Sequence, residues 1–270
     1  MTNSIVFVGG GNMAAALVGG LLKRGCDRRA LAVVDVSPAA RERATGLGVA
    51  AFASVEQMPA ADVLILAVKP QQMREVAQSV AGQCRRSLVL SIAAGIRTRD
   101  LSRWLGGHQR IVRAMPNTPA LVGAGAAGLY AMPAASAADR NSAEGILGAV
   151  GTVQWFEREE ALDAVTAVSG SGPAYVFYFI EAVEQAARDL GLDAHAARAL
   201  TLETFAGATQ LAAGSEDSPA VLRQKVTSKG GTTERALEHL ESAGVRQAII
   251  DSVKAAALRA REMGDAFGAD

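Results

Sequence analysis

Ser4-Ile-Val-Phe-Val-Gly9-Gly10-Gly11-Asn12-Met13-Ala14-Ala15-Ala16-Leu17 decides the fold. An apolar run stops at glycines, and an Ala-rich helical pattern follows at once. This reads as strand, tight turn and helix, with the spacing Gly9-x-Gly11-x-x-Ala14. The first glycine permits the turn, the second lets a pyrophosphate approach the backbone, and the small residue at 14 lets helix and strand pack closely. The helix start at Asn12 and Met13 presents free N–H groups and a positive dipole end to phosphates. A second apolar run, Leu31 to Asp35, supplies the next strand that a dinucleotide-binding unit requires. Without that context the motif would be only a glycine-rich turn.

Asp35 closes this second strand about 20 residues past the loop, where an acid bonds ribose hydroxyls and favours NAD. Ser37 and Arg41 follow at once. A hydroxyl and a guanidinium there suit the 2′-phosphate of NADP instead. The two signals conflict, and Arg41 could equally be a solvated position on the next helix.

The chain has 270 residues, half of them apolar, enough for two domains or one large one. Lys and Arg number 27, as do Asp and Glu, so no basic excess points to nucleic acid or an anionic membrane. Cys26 and Cys84 show no metal-ligand spacing and imply no disulfide, which fits a cytoplasmic setting. No apolar run is long enough to span a bilayer, and the first one belongs to the nucleotide-site strand rather than to a signal sequence.

Further strands are expected at Val63–Val68, Leu88–Ile92 and Ile111–Ala114, with helices at Ala14–Leu22, Ala39–Leu47 and Gln72–Val80. The alternation predicts an α/β fold, a parallel sheet with helices on both faces. Ala126–Tyr130 and Thr152–Phe156 extend the sheet, the latter after a helix around Ser136–Val150. Beyond Glu157 the texture is helical: Ala174–Ala187, Ala196–Ala213, Ala220–Val226, Thr232–Leu240 and Arg246–Met263. Ala174–Ala187 is apolar around much of its circumference, so it should be buried, within a self-sufficient bundle or against a second copy.

Two later segments place polar groups where ligands bind in open α/β sheets, outside the carboxyl ends of strands, and two more open helices. Ala67-Val68-Lys69-Pro70-Gln71 puts Lys69 at the mouth of the cleft. Arg113-Ala-Met-Pro-Asn117-Thr-Pro119 is a proline-stiffened loop whose Asn117 suits a polar ligand, although it could be only a turn. Val168-Ser-Gly-Ser-Gly-Pro-Ala-Tyr175 opens the apolar helix, and part of that signal is helix initiation. Thr227-Ser228-Lys229-Gly230-Gly231-Thr232-Thr233-Glu234 combines glycines and hydroxyls at a helix N-terminus, an anion cradle suited to a substrate carboxylate or phosphate.

No Lys lies between Lys69 and Lys225, so Tyr175–Glu184 lacks the base a β-hydroxyacid dehydrogenase needs on that helix. His108, His195 and His239 have no adjacent acid signature. Whatever is reduced needs no strong protein acid or base, which a protonated C=N bond satisfies and a ketone does not. A dinucleotide-sensing module without catalysis is the reading from another class, and the second cradle disfavours it.

Together the motifs resemble the pyrroline-5-carboxylate reductase family: Phe7-Val-Gly-Gly-Gly-Asn-Met13, Ala67-Val-Lys-Pro-Gln71, Met115-Pro-Asn-Thr-Pro119, Ala164-Val-Thr-Ala-Val-Ser-Gly-Ser-Gly-Pro-Ala-Tyr175, and Thr227-Ser to Gly230-Gly-Thr-Thr233. The resemblance implies a Rossmann-like doubly wound domain (residues 1–160), then an all-helical dimerisation and substrate-binding domain (161–270). It implies an intertwined homodimer, rings of dimers up to a decamer, a site shared by two chains, and reduction of 1-pyrroline-5-carboxylate to L-proline by NADPH, with NADH as the alternative. By that resemblance Gly9, Gly11, Asn12, Met13, Ser37, Arg41, Ala67, Val68, Lys69, Pro70 and Asn117 hold the cofactor. Ser228, Gly230, Gly231, Thr232 and Thr233 hold the substrate, with Thr233 at the ring nitrogen and no metal. Lys229 stands where the family commonly has Pro, and Ser54 is the only small polar residue in Phe52–Glu56, where the family often has Asn.

Overall fold

A computed structural model of the chain describes residues 3–269. Gly172–Lys254 forms one compact unit, and the remaining described residues form the other.

The first unit is built on one eight-stranded sheet in the order β3-β2-β1-β4-β5-β6-β7-β8. Its strands are β1 (Ile5–Val8), β2 (Leu31–Val34), β3 (Ala50–Phe52), β4 (Val63–Leu66), β5 (Leu88–Ser91), β6 (Ile111–Met115), β7 (Gly125–Ala131) and β8 (Gly151–Trp155). β1, β2, β4 and β5 are buried along their whole length, as parallel strands covered on both faces must be. Alternate residues serve alternate faces. Ile5, Phe7, Val63 and Ile65 pack with Leu17 and Leu21 of α1 (Asn12–Lys23) and Ile146 of α5 (Ala137–Leu147). Val6, Val8, Leu64 and Leu66 pack with Met73, Ala77 and Val80 of α3 (Met73–Val80) and Leu101 and Trp104 of α4 (Thr98–Trp104).

The sheet departs from the expected all-parallel arrangement at one place. β6 and β7 are antiparallel, with Met115 opposite Gly128. Their connection, residues 116–124, is too short for the crossover that a parallel pair requires. β3 and α4 are absent from the sequence reading, being too short to show a period. A capping box at Ser136 and Asp139 starts α5. Cys26 and Cys84 are buried free thiols.

The second unit is helical: α7 (Gly172–Asp189), α8 (Ala194–Ala213), α9 (Pro219–Lys225), α10 (Thr232–Ser242) and the first part of α11 (Val245–Gly268). Side-chain caps from Asp193 and Ser218 start α8 and α9. The end of α11 belongs to the first unit, where Phe267 joins the α3–α4 face and Arg103 Nη2 donates to Gly268 O at 2.9 Å. The expected burial of Ala174–Ala187 is not met within the chain. No residue of α7 is buried, and Phe177 and Tyr178 are 63% and 72% exposed. The surface that would cover this helix is not supplied by its own unit.

Candidate active site

The glycine loop is shaped by its neighbours. Gly9 N–H donates to Val34 O at 2.8 Å, and its φ is +101°. A Cβ there would stand 2.6 Å from Ala67 O, so only glycine fits between the ends of β1 and β4. Gly11 is the N-cap of α1, and nothing lies within 4 Å of where its Cβ would stand. The first intrahelical bond runs from Ala15 N–H to Gly11 O, leaving the amides of Asn12, Met13 and Ala14 without a helical acceptor. Open space and free amides at one helix start are what an anion site requires. The residues present therefore fit a dinucleotide's pyrophosphate.

At the end of β2, both oxygens of Asp35 are engaged. Oδ2 accepts from Gly10 N–H at 2.6 Å and Oδ1 from Ser37 N–H at 2.7 Å. Ser37 is the N-cap of α2 (Pro38–Gly46), but its hydroxyl makes no capping bond. Arg41 Nη1 donates to Asp35 O at 2.7 Å and Val36 O at 2.9 Å, which places the guanidinium against the strand end. Arg43 Nη2 donates to Gly10 O at 3.1 Å.

A cleft of about 460 Å³ opens beside this turn, within the usual range of ligand sites. Of the expected residues, Gly9, Gly11, Asp35, Ala67, Val68 and Lys69 line it, whereas Ser37 and Arg41 do not. Asn12 and Met13 open α1, Ser37 and Arg41 flank the β2 turn, and Pro70 begins a short turn, Pro70–Gln72. The cleft also takes Ala53, Ser54, Val55 and Glu56 after β3, Gln72 just before α3, and Glu75, Val76 and Ser79 along it. Sequence reasoning missed all of these except Ser54. Their signal is the i, i+3, i+4, i+7 spacing from Gln72 and the position just past a strand's carboxyl end.

Asn117 does not line this cleft. It is 9% exposed, and both ends of its amide are engaged. Oδ1 accepts from Ala126 N–H at 2.8 Å, and Nδ2 donates to Ser169 O at 3.0 Å. Ser169 lies in a π-helical turn, Thr166–Gly170, that follows α6 (Ala161–Val165) and precedes α7. Part of the Val168–Tyr175 motif is thus a wide helical turn, a feature found at functional positions. A Cβ on Gly170 would stand 2.5 Å from Met115 Cε, so the turn seats directly on the end of β6.

Beneath it runs a buried charge network. Arg113 Nη1 donates to Glu159 Oε1 at 2.9 Å, and Arg97 Nη2 to Asp163 Oδ2 at 2.7 Å. Glu159 also accepts from Thr98 N–H and Oγ1. Burial lowers the pKa of Arg113, and the charge of Glu159 opposes that.

The loop after α9 lies in the helical unit. Gly231 N–H donates to Ser228 O at 3.0 Å, and Gly230, the third residue of this turn, has a φ of +73°. No non-glycine residue has positive φ among the described residues, so Ser228–Gly231 is a type II turn. Gly230 N–H donates to Glu234 Oε2 at 2.6 Å. The amides of Gly230 and Gly231, the expected anion donors, thus already have partners. The open donors are the first-turn amides of α10 at Thr232, Thr233 and Glu234.

Among the described residues no three His, Cys, Asp or Glu side chains gather as metal ligands, and no helix is long and apolar enough to cross a membrane.

Residues 159–263 match the profile described as pyrroline-5-carboxylate reductase dimerisation, and residues 4–95 that of NADP oxidoreductase, coenzyme F420-dependent. The pyrroline-5-carboxylate reductase of Pseudomonas aeruginosa is 43% identical over 99% of both chains. That of Haemophilus influenzae is 40% identical over 97% of this chain and 98% of its own. A solved pyrroline-5-carboxylate reductase from Coxiella burnetii, 42% identical, superposes with a TM-score of 0.91 over 97% of this chain and 99% of its own. The pyrroline carboxylate reductase of Plasmodium falciparum, solved with NADP bound, is 27% identical, with a TM-score of 0.89 over 97% of this chain and 98% of its own. Likeness this high along nearly the whole length, across the sheet and the helices alike, settles the kinship: the chain belongs to the pyrroline-5-carboxylate reductase family.

Proposed function

We propose that this chain reduces 1-pyrroline-5-carboxylate to L-proline, the last step of proline synthesis, with NADPH or NADH as hydride donor. The observation that carries the reading is two helix starts, behind Gly11 and behind Gly231, without side-chain caps on their first-turn amides, in a chain 43% identical to a named reductase of this substrate. Gly9, Gly11, Asn12 and Met13 hold the pyrophosphate, Ser37 and Arg41 face the 2′-phosphate, and Ala67, Val68, Lys69 and Pro70 wall the cleft. The bound dihydronicotinamide supplies a hydride to the electrophilic carbon of the C=N bond.

The substrate carboxylate takes the first-turn amides at Thr232 and Thr233 and the Ser228 hydroxyl, with Gly230 and Gly231 keeping the loop free of side chains. This fixes which ring face meets the donor. Thr233 Oγ1 accepts from the iminium N–H. Because a protonated imine arrives already activated, no stronger acid or base is required. Residues 161–270 serve as dimerisation and substrate domain, the exposed face of α7 is covered by a second chain in an intertwined dimer, and dimers assemble into rings up to a decamer. The setting is cytoplasmic.

The test is loss of reduced-nicotinamide absorbance with and without the imine. Oxidation that requires the imine and yields proline supports the reading, and none with either donor refutes it. Thr233→Ala should lower kcat/KM about 10–100-fold, the scale of one or two hydrogen bonds, while NADPH affinity holds.

A further inference from the structure

The acid at the end of β2 and the guanidinium six residues on pull the choice of cofactor in opposite directions, if both face the ribose. The geometry points to a different division of labour: we propose that Asp35, with Arg43, is a positioning residue that clamps the Gly10 peptide, and that the choice between NADPH and NADH rests on Arg41. The proposal deepens the reading of the cleft as a dinucleotide site and rests on it.

Gly10 is the middle residue of the phosphate loop, and its peptide groups are held from two sides. Its N–H donates to Asp35 Oδ2 at 2.6 Å, and its carbonyl accepts from Arg43 Nη2 at 3.1 Å. The other carboxylate oxygen takes Ser37 N–H at 2.7 Å. Asp35 therefore ties the loop before α1 to the turn before α2 through two charge-assisted bonds, the strong class for a carboxylate. A Cβ on Gly10 would stand 3.0 Å from Val33 Cγ1 and 3.1 Å from Ala40 Cβ, so the peptide is also packed from the α2 side. What the clamp presets is the direction of the loop amides, which meet the pyrophosphate common to both dinucleotides.

Arg41 is placed differently. Only its Nη1 is bonded, to the carbonyls of Asp35 and Val36, and among the described residues Nε and Nη2 take no protein acceptor. That leaves one edge of a rigid fork, suited to phosphate, at the end of β2.

The assay is direct titration of NADPH and of NADH into wild type, Asp35→Asn, Arg43→Ala and Arg41→Ala, with the melting temperature of each. Asp35→Asn places an amide donor against one of two backbone donors. It should weaken both dinucleotides by the same factor, roughly 10–100-fold, with the loss in turnover appearing in KM for either cofactor rather than in kcat. Arg43→Ala should weaken both by a smaller shared factor. Arg41→Ala should weaken NADPH alone. An Asp35→Asn variant that loses NADH at least tenfold more than NADPH, or that gains NADPH affinity, would show Asp35 reading the ribose and overturn the clamp. Equal losses explained by a collapsed melting temperature would overturn it as well. A wild type that binds neither dinucleotide overturns the cleft reading itself, and the clamp with it.

Discussion

Asn117→Ala separates a residue that touches cofactor from one that holds the frame around it. The wild-type amide accepts from Ala126 N–H at 2.8 Å and donates to Ser169 O at 3.0 Å, at 9% exposure. Truncation strands one donor and one acceptor where water has little access. An unsatisfied buried group costs about 1–3 kcal/mol, so the pair amounts to roughly 2–6 kcal/mol. At about 2–4 °C per kcal/mol for a chain of this size, the melting temperature should fall by roughly 4–24 °C. Turnover should fall with it, because the freed Ser169 carbonyl belongs to the π-helical turn on the end of β6. NADPH affinity of the folded fraction should change little. Asn117→Asp keeps the acceptor for Ala126 but sets a carboxylate against the Ser169 carbonyl, and lowering the pH should restore part of its stability by restoring a donor. Calorimetry and NADPH titration decide the matter. An Asn117→Ala protein with wild-type stability and tenfold weaker NADPH binding would refute the framing role and place the amide on the cofactor.

Gly9→Ala combines a φ of +101° with a Cβ 2.6 Å from Ala67 O, so it should lower stability by about 1–3 kcal/mol or more. Gly11→Ala meets no neighbour within 4 Å and should melt like wild type while losing NADPH affinity, since its methyl enters the pyrophosphate approach; equal melting of both variants would contradict this. Phe177→Asp on the exposed face of α7 should convert the assembly to monomers by light scattering, and an unchanged mass would remove that face from the interface. Burial holds the pKa of His108 below its ordinary value, so the unfolded chain binds that proton more readily. Stability should then rise with pH through the window below about 6.5 and be lost as pH falls. His108→Gln should flatten that dependence between about pH 5 and pH 7 in denaturant titrations.

Much of the sheet was legible because its signals are local. Ile5–Val8 and Leu31–Val34 are observed as strands where apolar runs were expected, the second ending one residue short of Asp35, since an apolar run bounded by glycine or a polar turn is set by the chain itself. The glycine spacing likewise announced its loop, because a left-handed Gly9 and a helix starting at Asn12 are requirements of a few consecutive residues. Short elements such as β3 and α4 carry too few residues for a period, and only their neighbours make them regular. The reversal of β7 depends on how far residues 116–124 reach.

The tertiary structure alone decided which partner each polar group found. Asp35 and Arg41 read as rivals for one ribose, yet the fold turns the acid onto Gly10 and Ser37 and leaves one edge of the guanidinium without an acceptor among the described residues. Asn117 stands 52 residues from Ser169, and no spacing announces that bond. The amides of Gly230 and Gly231 looked open, but a turn and the Glu234 carboxylate take them, leaving the first-turn amides of α10 as the open donors. Backbone conformation and apolar period are properties of short segments and survive in the sequence. Hydrogen-bond pairing across the fold is a property of distances between segments, and these exist only once the sheet has formed.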